Sequence, residues 1–117
     1  MLHKPNPSGY RELLPGVLMK PLTHGEKSLL CEFRLKQGAE IPAHQHPQEQ
    51  TGYLVHGSLR FFGDEGEAVV ETGHSWSFKG GVVHGAEALA DSIAIEVFSP
   101  PREDYLVWLT GQGAAGG

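Results

Sequence analysis

Seven histidines stand in 117 residues, and their spacing separates those able to act together from bystanders. In HQHPQEQTGYLVHG, residues 44–57, His44 and His46 lie two apart. Side chains alternate along an extended chain, so positions 44, 46, 48 and 50 project the same way. Two neutral imidazoles on one face are nitrogen donors for a single transition-metal ion. Gln50 keeps that parity and Glu49, the adjacent carboxylate, breaks it, although Pro47 bends the path and makes parity only a guide. A third imidazole must come from elsewhere, and His84 is the best source. The KGGVV ahead of it places two glycines where backbone must approach closely. An H-x-H pair also occurs on surface hairpins, so by itself it leaves both readings open.

A second group of candidates lies in SIAIEVFSPPR, residues 92–102. Ile93, Ile95 and Val97 share one face of a strand, and Ala94, Glu96 and Phe98 share the other. If the aliphatic face looks inward, Glu96 is a solvated rim charge. If the other face does, a carboxylate and an aromatic ring line the interior, and a second sheet or a partner subunit must cover the aliphatic face. The stiff SPPR that follows, able to fix Arg102 at a rim, favours the second arrangement. His56 shares parity with His44 and Gln50 and borders either the cavity or solvent. Arg60 and Trp76 have reach enough for a pocket, with packing as their default role. His3, His24, His74 and Lys79 read as loop or turn residues.

The elements that must position these groups are almost all strands. SLLCEFRLK alternates strictly, with Leu29, Cys31, Phe33 and Leu35 on one face. GVLMKPL, TGYLVHG, SLRFF, EAVVET, SWSF and SIAIEVF are further strands, with turns at THGEK, GDEG and AD. Only REDYLVWL suits a short helix, and GQGAAGG after it reads as a mobile tail over about 110–117. Roughly eight to ten short strands in one domain of residues 1–117, with a core over about 28–100, predict an all-β barrel or jelly roll. Sixteen glycines and eight prolines suit short strands and tight turns. The net charge of −5, with no basic run, argues against a nucleic-acid partner, and no apolar run approaches membrane length. A single cysteine, Cys31, suits a reducing compartment, so the expectation is a cytoplasmic protein.

Two segments together resemble the paired motifs of the cupins. GAEIPAHQHPQEQTGYLVHG is similar to G-x5-H-x-H-x3-E-x6-G, with Gly38, His44, His46 and Gly57 in place. GHSWSFKGGVVHGAEA is similar to G-x5-P-x-G-x2-H-x3-N, with Gly73, Gly81 and His84 in place, Lys79 for the proline and Ala88 for the asparagine. The resemblance implies a double-stranded β-helix whose mouth holds a divalent transition metal on His44, His46 and His84. The fourth ligand, normally Glu, falls on Gln50; the alternative for this side chain is a strand polar group bonded nearby. Three imidazoles and an amide leave the ion its full double charge, which suits nickel, zinc, cobalt, copper, manganese or iron and a small anionic ligand.

HPQEQTGYLVHG and AEALADSIAIEVFSPPREDYL further resemble the KdgF-type cupins of pectin and alginate breakdown, which open the ring of 4,5-unsaturated uronates. That likeness implies catalytic roles for Glu96, Phe98 and Arg102. Glu96 stands where the family has Asp, which moves the acid out by about 1.5 Å. The expected activity is metal-dependent linearisation of an unsaturated uronate to a keto-acid. The rivals are a cupin dioxygenase and a non-catalytic sugar-binding cupin. Exposed aliphatic strand faces suggest a homodimer, with the N-terminal segment as a candidate for strand exchange.

Overall fold

The computed structural model describes residues 2–111. Ten strands and one helix follow in order: β1 (Arg11–Leu14), β2 (Val17–His24), β3 (Leu29–Leu35), β4 (Glu40–His44), β5 (Glu49–His56), β6 (Ser58–Gly63), β7 (Ala68–Glu71), β8 (Ser75–Phe78), β9 (His84–Ala88), β10 (Ser92–Ser99) and α1 (Glu103–Thr110). They form a six-stranded sheet, ordered β1-β2-β3-β10-β5-β8, and a four-stranded sheet, ordered β4-β9-β6-β7. Every pairing is antiparallel. This is the all-β jelly roll that the patterning predicts, with the core between the facing sheets.

Alternation sets what faces that core. On β3 the buried set is Leu29, Cys31, Phe33 and Leu35. On β10 it is Ser92, Ala94, Glu96 and Phe98, so the carboxylate-bearing face looks inward and Ile93, Ile95 and Val97 lie half-buried on the outer face. The core also takes in Val17 and Met19 of β2, both fully buried, and so reaches back beyond residue 28.

Register then lines up side chains from neighbouring strands. Glu96 lies opposite Cys31 on β3 and Gly52 on β5, and Gly52 lies opposite Trp76 on β8. One row further along, Phe98 faces Leu29 and Gln50, and Gln50 faces Phe78.

Strands β1, β4 and β9 fall outside those that alternation predicts. RELL is too short to show a period, EIPAH carries a central proline, and HGAEA is rich in small residues. Pro42 is tolerated because β4 is an edge strand, which leaves one side of its backbone unpaired. Gly85 is required in β9 because a Cβ there would stand 2.6 Å from the Phe62 ring and 2.8 Å from the Ile41 carbonyl oxygen.

The N-terminal segment is held by its own chain. The Tyr10 hydroxyl donates to Glu32 at 2.5 Å, Lys20 donates to the Asn6 carbonyl at 2.6 Å, and Arg34 stacks on the Tyr10 ring at 4.9 Å. At the other end, α1 starts one residue later than REDYLVWL would begin and runs through Thr110. Acidic Glu103 and Asp104 stand in its first turn, where the helix dipole favours them. Gly111, in the left-handed conformation at φ 74°, caps the helix with its N–H on the Val107 carbonyl. The remainder of the expected tail, 112–117, lies outside the described residues. Among the described residues no helix is long and apolar enough to cross a membrane.

Cys31 is fully buried, and burial pushes its thiol up to about 12. The thiolate is the reactive form, so folded protein should react with a disulfide reagent at least about a hundredfold more slowly than a free thiol. Full reactivity should return in denaturant, and rapid labelling of the native chain would contradict this packing.

Candidate metal centre

Three imidazoles gather at one end of the barrel, and each arrives by a different route. His44 closes β4, His84 opens β9, and the two are paired across the small sheet. His46 sits in the turn between β4 and β5. That turn is fastened to the loop before His84: Gly81 donates its N–H to the His46 carbonyl at 2.8 Å, and a Cβ on Gly80 would stand 2.2 Å from the Pro47 carbonyl oxygen. Gly80 thus serves the close approach expected of the pair, whereas Gly81 has open space around it and supplies a φ of 84°. The ligand atoms of His44, His46 and His84 lie within 4.8 Å of one another.

Their tautomers follow from the backbone. Nδ1 of His44, His46 and His84 lies 2.9 Å from the carbonyl oxygens of Pro42, Gln48 and Val82 respectively. A carbonyl only accepts, so each Nδ1 carries the proton and each Nε2 keeps a free lone pair. Such outer bonds are the usual means of aiming a histidine ligand. Burial holds His46 and His84 below the usual histidine range, and the Arg102 charge adds to the effect. Both are therefore neutral near pH 7, and binding a cation there displaces no proton from them. The Phe78 ring stacks on His84 at 4.3 Å, and Phe98 meets His46 edge-on at 5.7 Å.

Gln50 is buried, and its Oε1 lies 3.0 Å from Nε2 of His46 and 3.1 Å from Nε2 of His84. Two ligand atoms bound to one ion at about 2.1 Å and at right angles stand about 3.0 Å apart. The Gln50 Nε2 donates to Glu96 Oε2, and Trp76 Nε1 donates to Glu96 Oε1 at 2.8 Å. The donor set therefore fits a divalent transition ion: lone pairs converge with no proton assigned between them. It fits without a ligating carboxylate, since Glu49 is exposed and Glu96 stands one hydrogen bond behind Gln50. Burial pushes the Glu96 carboxyl up to about 8, against the pull of the Gln50 and Trp76 N–H groups, so it holds or yields a proton near neutral pH.

A cavity of about 470 Å³ runs from this cluster between the sheets. His44, His84, Gln50, Glu96 and Arg102 form its polar end. Its remaining wall is largely apolar, with Phe33, Leu35, Leu59 and Phe61 inside and Leu13, Leu14 and Trp108 from β1 and α1. Arg102 stacks over Tyr105 at 4.0 Å and is held side-on by Asp104, with Nη2–Oδ2 2.9 Å and Nε–Oδ1 3.3 Å. Its Nη1 edge has no partner among these bonds. Phe98 lines the cavity, yet its ring is packed against His46, Phe33 and Tyr105, so it is a wall that props His46.

The residues expected to meet do so: His44, His46, Gln50, His84, Glu96, Phe98 and Arg102 share one end of the barrel. His56, His74 and Lys79 are exposed, and Arg60 pairs outside with Glu67 and Glu87. Trp76 proves to be part of the site. Gly52 makes that possible, since a Cβ there would stand 2.3 Å from the indole Nε1. The signal lay in cross-strand register, which a single strand's alternation does not contain.

Two facing sheets with three histidines and a glutamine gathered at one end define a jelly-roll protein with a candidate metal centre. The chain belongs to the cupin domain family, whose model matches residues 31–99. Among solved structures it is similar to KdgF from Halomonas sp., with 29% identity, a TM-score of 0.77, and coverage of 81% of this chain and 90% of that one. An RmlC-like cupin from Shewanella frigidimarina is similar at 28% identity and a TM-score of 0.78, over 82% and 86% of the two chains. The salicylate 1,2-dioxygenase of Pseudoaminobacter salicylatoxidans shares the fold at 14% identity and a TM-score of 0.72, over 82% of this chain and 30% of that one. No curated protein matches the chain.

Two substitutions test the centre. His84→Ala should abolish tight binding of nickel or zinc measured by chelator competition. Gly80→Ala, which forces the Pro47 carbonyl away, should weaken it about tenfold or more while the far-UV spectrum stays native. Unchanged affinity in both variants would remove the ion from this cluster.

Proposed function

We propose that the chain is a metal-dependent enzyme that opens the ring of a 4,5-unsaturated uronate to give the linear keto-acid. The observation that carries this reading is the convergence of Glu96, Phe98 and Arg102 with His44, Gln50 and His84 on one cavity, beside a histidine cluster that His46 completes. Likeness to a KdgF structure across most of both chains supports it.

The reaction moves protons and no net electrons. The anomeric hydroxyl loses a proton, the C1–O5 bond breaks to leave an aldehyde at C1 and an enolate at O5, and the enolate gains a proton at C4 to become a ketone at C5. A divalent ion held by His44, His46, Gln50 and His84 would supply Lewis acidity to the substrate. Glu96, buried and able to exchange a proton near neutrality, is the general acid–base. Arg102 offers its Nη1 edge to the substrate carboxylate, because Asp104 already occupies the side-on position. Phe98 and the adjoining apolar wall exclude water from the ring.

Loss of the ultraviolet absorbance of unsaturated galacturonate on adding metal-loaded protein tests this. At saturating metal, Glu96→Gln should lower kcat about 10²-fold or more, and Arg102→Ala should chiefly raise KM. Turnover no faster than buffer with every divalent metal tried would end the proposal.

One observation favours a second reading. Beyond its polar end the cavity is walled by Phe33, Leu35, Leu59 and Phe61, which offer nothing to the hydroxyls of a sugar. An aromatic or enediol acid would suit those walls and a dioxygenase reaction. Oxygen consumption by iron-loaded protein on such an acid, with no effect on uronate, would select that reading over linearisation.

We place the protein in the cytoplasm as a homodimer, with the outer face of the large sheet as the contact. Ile93, Ile95 and Val97 lie there beside Tyr53 and Val55, which are 49% and 44% exposed. Light scattering should give the mass of two chains, and Ile95→Glu should give the mass of one. A monomeric wild-type chain would refute the assembly.

A further inference from the structure

Gln50 has two nearly isosteric ends, and only one of them is a metal ligand. Turned as it stands, the amide offers Oε1 to the point shared by Nε2 of His46 and His84. Turned over, it would donate N–H to the same two lone pairs and fill the centre with protons. Both orientations fit the same volume, so packing does not choose between them. The choice falls to the group on the far side of the amide.

That group is Glu96. Its Oε2 accepts from Gln50 Nε2, which directs the amide nitrogen outward. Its Oε1 accepts from Trp76 Nε1 at 2.8 Å, which holds the carboxylate in place as an acceptor. Trp76 reaches Glu96 because both flank Gly52 in adjoining strands, and the indole occupies the space a Cβ at Gly52 would need. Phe61 braces the indole from the opposite sheet at 4.8 Å. The amide nitrogen and both carboxylate oxygens thus each have a partner on the far side of the amide.

We propose that Trp76, acting through Glu96 across the gap left by Gly52, is a positioning residue that turns Gln50 into an oxygen ligand for the metal. The indole N–H touches neither ion nor substrate. It decides which end of a neutral ligand faces the ion, a choice that a carboxylate at position 50 would not present. The inference rests on the metal reading of the histidine cluster and not on uronate chemistry. A chain that binds metal but turns over no uronate leaves it intact.

The test is a cycle of four proteins: wild type, Trp76→Phe, Gln50→Glu, and the two together. Phenylalanine keeps an aromatic ring over Gly52 and removes only the donor. Affinity for nickel(II) and zinc(II) is read by chelator competition, and folding by circular dichroism. With Gln50 present, Trp76→Phe should weaken binding about tenfold or more, the scale on which outer partners tune metal sites. With Glu at position 50, whose two oxygens are equivalent, the same change should weaken it less than about threefold. A loss of similar size in both backgrounds, or none in either, overturns the inference and leaves Trp76 a packing residue. Should the phenylalanine variant fail to fold, Glu96→Ala, which removes the acceptor, takes its place in the cycle with the same expectations. A wild-type chain that binds neither ion overturns the metal reading and this inference together.

Discussion

Three imidazole nitrogens and an amide oxygen gathered at one end of the barrel are the constraint on which the arrangement depends. Nitrogen and oxygen acceptors brought to about 3 Å without a proton between them repel, and a cation reverses the sign of that interaction. The molecule holds them there by committing every alternative. Each histidine has its Nδ1 proton on a nearby carbonyl, and Gln50 has its amide nitrogen on Glu96. The local folding follows from the same need. His44 and His84 are fixed by pairing within the small sheet, and the His46 turn by its contact with Gly80 and Gly81. Gln50 comes from the large sheet, so the centre ties the two sheets together at one end.

The position of the carboxylate has electrostatic consequences. A glutamate at position 50 would cancel half the charge of a divalent ion. Here the acidic group stands one hydrogen bond further out, at Glu96, whose burial raises its carboxyl above the ordinary carboxylate range. An ion held there would keep its charge for an incoming anion, with an acid–base group one hydrogen bond away. These two properties suit proton movement on a carboxylate-bearing substrate, and neither needs the metal to change oxidation state.

The cavity divides into two parts with different physics. Its polar end is assembled from β4, β5, β9, β10 and the residue before α1, where Arg102 is held between Asp104 and the Tyr105 ring. The rest is aliphatic and aromatic, with β1 and α1 supplying Leu13, Leu14 and Trp108 at the edge. An apolar wall excludes water and strengthens interactions at the polar end. It also limits how many hydroxyl groups a bound molecule can present to it.

Strand alternation in SLLCEFRLK and SIAIEVF made the strands legible in the amino-acid sequence, and the motif resemblance named His44, His46, Gln50 and His84 as the candidate ligands that the structure brings together. That legibility has a simple basis: a two-residue period and short turns are local properties, and they leave a local trace. The short strand β1 and the proline-bearing β4 left none: four residues are too few to show a period, and β4 takes its pairing from β9, distant in the chain. Which face of β10 looks inward was open in the sequence, since both faces carry apolar residues. It is decided by packing against β3 and β5. The contact of Trp76 with Glu96 is a product of tertiary structure alone, for the same reason. Gly52, Trp76 and Glu96 are neighbours through register across three strands, and register belongs to the assembled sheet.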